Sequence, residues 1–196
     1  MINRIKRNKL FAILLISTLV VFILALFLTS MIDLDTKKEI YKRVISIYNS
    51  RDKQLEMLTK HNIQIVLFQN TGLLFIIWLL GISIVGIPLI LLIYFFKVLL
   101  LAWNCYFLLI HIKIHTIPFF ILYLLSSFIF IILAFIVVYY AVSYSIILVR
   151  TLFFKKVYSL QKITTNYIKI LLGIILISIL FCFFEVYIIP KILLFF

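Results

Sequence analysis

Acidic residues are nearly missing from this chain: six Asp and Glu stand against nineteen Lys and Arg in 196 residues, and charge of either sign makes up only 13% of the sequence. Soluble domains carry about a quarter charged residues, because each surface element must show polar groups to water. The shortage excludes an ordinary water-soluble domain. Glycine is limited to Gly72, Gly81, Gly86 and Gly173, so no Gly-rich phosphate cradle is present, and no Walker loop, nucleophile elbow or zinc-protease motif occurs. No nucleophile and base are paired in the stretches between the apolar runs. The sequence therefore reads as a scaffold and not as an enzyme, with no cofactor implied. Cysteine is down to Cys105 and Cys182, both inside apolar runs where thiols pack as small hydrophobic groups, so no disulfide framework is implied. The net charge of +13 comes from basic residues at the ends of apolar runs. That placement points to topology control and anionic lipid headgroups, with no nucleic acid as partner.

What fills the chain is hydrocarbon. Hydrophobic residues make up 66% of it, with a mean hydropathy of +1.30. The stretch GLLFIIWLLGISIVGIPLILLIYFFKVLLLAWNCY, residues 72–106, is apolar from end to end apart from Ser83, Lys97 and Asn104. At ~20 residues per helical span the chain has room for about four to six crossings. The expected fold is all-α, a single integral membrane domain over residues 1–196: a polytopic helical bundle of about five transmembrane helices with one small extracytoplasmic helical loop.

Charge assigns the sides. Arg4, Lys6, Arg7 and Lys9 make residues 1–9 a basic tail, which the positive-inside bias keeps in the cytoplasm. Residues 10–31 form the first span; the run is too long for a signal-peptide core and no A-x-A-like cleavage site follows, so a retained anchor is expected. Residues 32–62 then lie outside, holding Asp33, Asp35, Glu39, Asp52 and Glu56 among their basic residues. Thr36-Lys37-Lys38-Glu39 fits a capping box. Ile40, Val44 and Tyr48, with Tyr41 and Ile45 beside them, lay an apolar stripe along the helix that it opens. The stripe either rests on lipid or a neighbouring span, or is a docking face for an extracytoplasmic partner.

From residue 63 to residue 110 hydrophobicity scarcely breaks. A straight helix of that length would measure roughly 70 Å, more than twice the hydrocarbon thickness, so the chain must turn back. Two break points compete. With Lys97 at the cytoplasmic face, residues 70–96 span and residues 98–110 make a short span or re-entrant segment; a turn at Gly81, Gly86 and Pro88 would leave Lys97 deep. The first is expected, because a Lys in hydrocarbon costs a few kcal/mol. Residues 119–149 make the next span, with Ser126-Ser127 and Ser143 with Ser145 as small polar positions suited to helix contacts. Residues 150–169 carry Arg150, Lys155, Lys156, Lys162 and Lys169 without an acid, marking a cytoplasmic loop. Residues 170–189 then span last and leave the C-terminus outside.

Glu185 is the one acid inside an apolar run. An intramembrane carboxylate is a candidate for ion or proton coupling, but Lys191 and the outer interface are near, which suits an interfacial or helix-pairing role equally. A transporter would rest on Glu185 alone, with no inverted repeat beside it. His111 and His115 are four apart, as a metal pair on one helical face requires. No third ligand is near in sequence, and they read as markers of a membrane boundary.

The block Leu80-Gly81-Ile82-Ser83-Ile84-Val85-Gly86-Ile87-Pro88, with the apolar run that follows it to Lys97, resembles the core signature of the stage II sporulation protein M family. Glu185-Val186-Tyr187 with Pro190 is similar to the family's final-span ending. The likeness is sharpest over residues 78–97; the chain departs from the pattern in having no glycine in residues 98–107 and Phe119-Phe120 after Pro118. The resemblance makes Gly81, Ser83, Gly86, Pro88, Lys97, Glu185, Tyr187 and Pro190 signature positions. It implies a multi-pass bacterial cell-membrane protein of engulfment during spore formation. The implied role is a non-catalytic anchor, set among membrane lipids and able to form a homo-oligomer, that recruits peptidoglycan-remodelling partners, the sporulation D and P cell-wall hydrolases, to the septal and engulfing membranes. Relatives of the family also look like membrane components of circular-bacteriocin clusters, acting in maturation, export or immunity beside an ATP-binding transporter subunit. Such a subunit would dock on residues 150–169, whereas a hydrolase would dock outside.

Overall fold

In lipid every backbone N–H and C=O must find its partner within the protein, which leaves helices as the natural form for long apolar runs of this kind. The computed structural model of the chain describes residues 4–32, 64, 66–83, 85–110, 117–154 and 160–188, and every regular element among them is helical. Helix α1 (Arg4–Ser30) is followed by a π-helical turn (Phe68–Gly72) that leads into α2 (Leu73–Gly81), then by α3 (Gly86–Ile110), α4 (Ile117–Phe154) and α5 (Leu160–Phe183), which ends in a second π-helical turn (Phe184–Ile188). Four stretches, Lys9–Ser30, Gly86–Tyr106, Leu124–Phe153 and Leu160–Tyr187, are long and apolar enough to cross a bilayer, and Phe68–Gly81 is a shorter apolar helix. The expected all-α polytopic bundle is what the chain forms.

Helix α4 is the hub. It buries Phe130, Ala134, Val138, Ala141 and Ser145 among others, and packs against α2, α3, α5 and part of α1. Ala134, Ala141 and Ser145 are small, and small residues let helix backbones approach closely where no water drives association. Helix α3 buries Ile90, Tyr94, Val98, Ala102 and Cys105, and α5 buries Tyr167, Leu171, Ile174, Ser178 and Cys182. Both sets recur at helical spacing and define one inward face each. Helix α1 lies outermost: Ile13 is 66% exposed, and it joins the bundle through Thr18, whose hydroxyl lies 3.2 Å from that of Tyr94, and through Phe11, edge-on to Phe135 at 5.2 Å. Its exposed apolar side chains suit a lipid surround.

Pairings along the helices give their directions. Tyr144 meets Thr164 and Ser126 meets Glu185, so α4 and α5 are antiparallel. Trp78 meets Tyr167 and Thr71 meets Ser178, so α2 also opposes α5. The turn between Gly81 and Gly86 thus lies at the same end of the bundle as the last residues of α4 and the first of α5. Glu185 marks the other end.

Two expected boundaries are corrected. The chain turns back between α2 and α3, not at Lys97: in place of segments 70–96 and 98–110 it builds Phe68–Gly81 and Gly86–Ile110. Lys97 stands eleven residues into α3, about 16 Å beyond its start; it is only half-buried there, and the Glu185 carboxylate offsets part of its burial cost. The expected loop 150–169 is largely helical, with α4 running on to Phe154 and α5 beginning at Leu160; Lys162 and Lys169 stay exposed while Tyr167 turns inward, so the helix extends beyond the apolar core at no burial cost. The stripe Ile40, Tyr41, Val44, Ile45 and Tyr48, the pair His111 and His115, and Pro190 lie outside the described residues.

Candidate functional site

A helix that ends packed against other helices must find partners there for its last carbonyls, since each one left buried and unpaired costs several kcal/mol. Helix α2 ends in that situation. The Ser145 hydroxyl, projecting from α4, lies 2.7 Å from the Gly81 carbonyl and 3.0 Å from that of Ser83, and its one hydrogen is shared between them. The turn is closed by three short-range backbone bonds, from the N–H of Ile82 to Leu79, of Ser83 to Leu80 and of Gly86 to Ser83, the tight pattern that finishes a helix.

Glycine is required here by proximity. A Cβ on Gly81 would overlap the Tyr167 hydroxyl and come within 2.8 Å of the Ala141 Cβ. A Cβ on Gly86 would overlap the Leu80 carbonyl oxygen and lie 2.7 Å from its carbon. Pro88 falls in the first turn of α3, where its missing N–H has no intrahelical acceptor to disappoint. The signature block is thus a helical hairpin, locked to α4 by a serine and to α5 by a tyrosine.

That tyrosine, Tyr167, is a pivot. Its ring stacks on Tyr144 at 4.4 Å and 3° and on Trp78 at 5.6 Å and 17°. Its hydroxyl donates to the Trp78 carbonyl at 2.9 Å, while the Tyr144 hydroxyl lies 2.9 Å from Thr164 Oγ1. One aromatic column therefore ties α2, α4 and α5 together at the hairpin end.

A second polar layer crosses the bundle towards the other end. Thr71, in the first π-helical turn, lies 3.1 Å from the Ser178 hydroxyl, and Cys182 sits against the side chains of Thr71 and Asn70. Ser126 of α4 donates to Glu185 Oε1 at 3.3 Å, and Lys97 of α3 feels the same carboxylate. Both π-helical turns fall at this layer, and such local unwinding is frequent where polar groups gather in a helix. The arrangement joins four helices and places opposite charges on two of them within electrostatic reach. Among the described residues no three His, Cys, Asp or Glu side chains gather as a metal site would need, and Cys105 and Cys182 are buried free thiols.

Of the signature positions, Gly81, Ser83, Gly86 and Pro88 come together in the hairpin, and Lys97 and Glu185 lie within electrostatic reach of each other across the bundle. Tyr187 stays outside this layer, 41% exposed and stacked on Phe183 at 6.1 Å. The residues that complete both layers, Trp78, Tyr144, Tyr167, Thr71, Ser178 and Cys182, carry no sequence signal of partnership. Ser126 and Ser145 do, as members of the small polar pairs Ser126-Ser127 and Ser143 with Ser145 within an apolar run.

Apolar helices closed around a glycine hairpin and a buried polar layer define a polytopic helical membrane protein. The family profile described as Stage II sporulation protein M matches residues 10–190, and the chain belongs to that family. Comparison with curated proteins and with solved structures gives no match.

Proposed function

We propose that the chain is a non-catalytic membrane scaffold that holds extracytoplasmic peptidoglycan hydrolases, of the sporulation D and P type, at the septal and engulfing membrane during spore formation. The observation that carries this reading is the family match over residues 10–190. The interior supports it: the hydroxyls of Ser145, Tyr167, Thr71, Ser178 and Ser126 are spent on holding helices together, which suits a fixed platform. In this reading the N-terminus and the hairpin end face the cytoplasm, by the bias of Arg150 to Lys169, and the Glu185 end with residues 32–62 faces the partners. The stripe Ile40, Tyr41, Val44, Ile45 and Tyr48 is the proposed docking face.

The test is affinity capture of the full chain, solubilised in mild detergent after cross-linking in sporulating cells. A cell-wall hydrolase recovered with the intact chain, and lost with Ile40→Glu/Val44→Glu, is the expected result. Capture of an ATP-binding transport subunit through residues 150–169, with no hydrolase, would overturn the proposal and select a bacteriocin-system role.

A further inference from the structure

At the hairpin end, α1, α4 and α5 leave between them a cleft of about 470 Å³, in the size range of roughly 300–1,000 Å³ that takes small amphiphiles and ligands. Its walls are mostly apolar, with Leu10 of α1, Ile147 of α4 and Ile170 of α5 among them and Ser143 and Asn166 as neutral polar side chains. Two cations from different helices line it, Arg150 and Lys169, and none of its lining side chains is acidic. The one acid among the described residues, Glu185, lies at the far end of the bundle. Tyr140 stands in the same wall, a residue type enriched where a bilayer meets water.

The two halves of this lining ask for one molecule. A soluble phosphate would satisfy the cations and leave the apolar walls unfilled, while an uncharged lipid would fill the walls and leave the cations. We propose that the cleft holds one anionic phospholipid of the adjoining leaflet, its phosphate between Arg150 and Lys169 and an acyl chain along Leu10, Ile147 and Ile170. Arg150 lies four residues before the end of α4 and Lys169 nine residues into α5. The deeper Lys reaches towards the headgroup along its flexible stem, and Arg supplies the forked donors that phosphate geometry favours. The lipid bridges α1 to the α4–α5 pair and makes the bundle responsive to leaflet charge. This site is independent of the proposed hydrolase docking, which uses the opposite end.

The experiment is native mass spectrometry of the full-length detergent-solubilised protein, titrated with phosphatidylglycerol or with phosphatidylcholine of the same acyl chains. The wild type is expected to keep one phosphatidylglycerol about tenfold more tightly than phosphatidylcholine, the scale of one charge-assisted contact. Arg150→Gln/Lys169→Gln should abolish the preference, and Ile147→Trp, which fills the slot and leaves both charges, should abolish retention. Lys162→Gln, an exposed cation on α5 outside the cleft, should behave as wild type. Equal retention of the two lipids, a preference that survives the double substitution, or equal competition by glycerol phosphate without acyl chains would overturn the proposal.

Discussion

Gly81→Ala is the smallest perturbation that reaches the lock between hairpin and bundle. The added methyl meets the Ala141 Cβ at 2.8 Å and overlaps the Tyr167 hydroxyl, so α2 must move off α4 or Tyr167 must leave the Trp78 carbonyl. Overpacking costs about 1–3 kcal/mol, and a side-chain hydrogen bond in a membrane bundle is worth about 0.6–1.7 kcal/mol. Together they set an expected loss of roughly 2–5 kcal/mol. Reversible unfolding in mixed micelles, followed by fluorescence, reports it, because Trp78 stacks on Tyr167. A cycle with Tyr167→Phe sharpens the test: removing the hydroxyl leaves only the Ala141 contact, so Gly81→Ala should cost less in that background, with a coupling of about 0.5 kcal/mol or more. Stability of Gly81→Ala within about 0.5 kcal/mol of wild type, or strict additivity with Tyr167→Phe, would refute the lock.

Gly86→Ala should be more damaging still, since the obstacle is the Leu80 backbone, whereas Gly173→Ala, with nothing within 4 Å, should be neutral or slightly stabilising through helix propensity; folded yield in detergent separates the two. Lys97→Met and Glu185→Gln should each destabilise by less than the roughly 3–5 kcal/mol of a fully buried broken pair, because both side chains keep partial exposure, and the double variant should be more stable than the sum predicts. Additive losses in chemical unfolding would show that the two charges do not interact. Thr71→Val and Ser178→Ala should be coupled by about 0.6 kcal/mol, up to about 1.7, read from the same unfolding cycle.

The class of the protein and the existence of its spans are legible in composition and in the length of the apolar runs, because a bilayer imposes a length on each helix. The hairpin position is harder to read. Membrane helices here are apolar on every side, so periodicity marks no face, and Lys97 looks like a boundary if its cost is weighed without a partner. Glu185, 88 residues later, offsets part of that cost. The same long-range logic hides the rest of the site: Ser145 reaches Gly81 across 64 residues, and Thr71 reaches Ser178 across 107. The Gly-Ser-Gly-Pro block stands out as a pattern, but what its glycines avoid, a tyrosine hydroxyl and an alanine methyl, belongs to other helices.

The most direct test of the account is the side from which the hairpin is reached. In a Cys105→Ala/Cys182→Ala background, single cysteines replace Val85 in the turn, Lys162 near the start of α5 and Tyr187 at the other end, all exposed, and a membrane-impermeant maleimide is applied to intact and to opened cells. Val85→Cys and Lys162→Cys should react only after opening, and Tyr187→Cys in intact cells. Reaction of Val85→Cys together with Tyr187→Cys in intact cells would contradict a hairpin that turns at the basic end of the bundle.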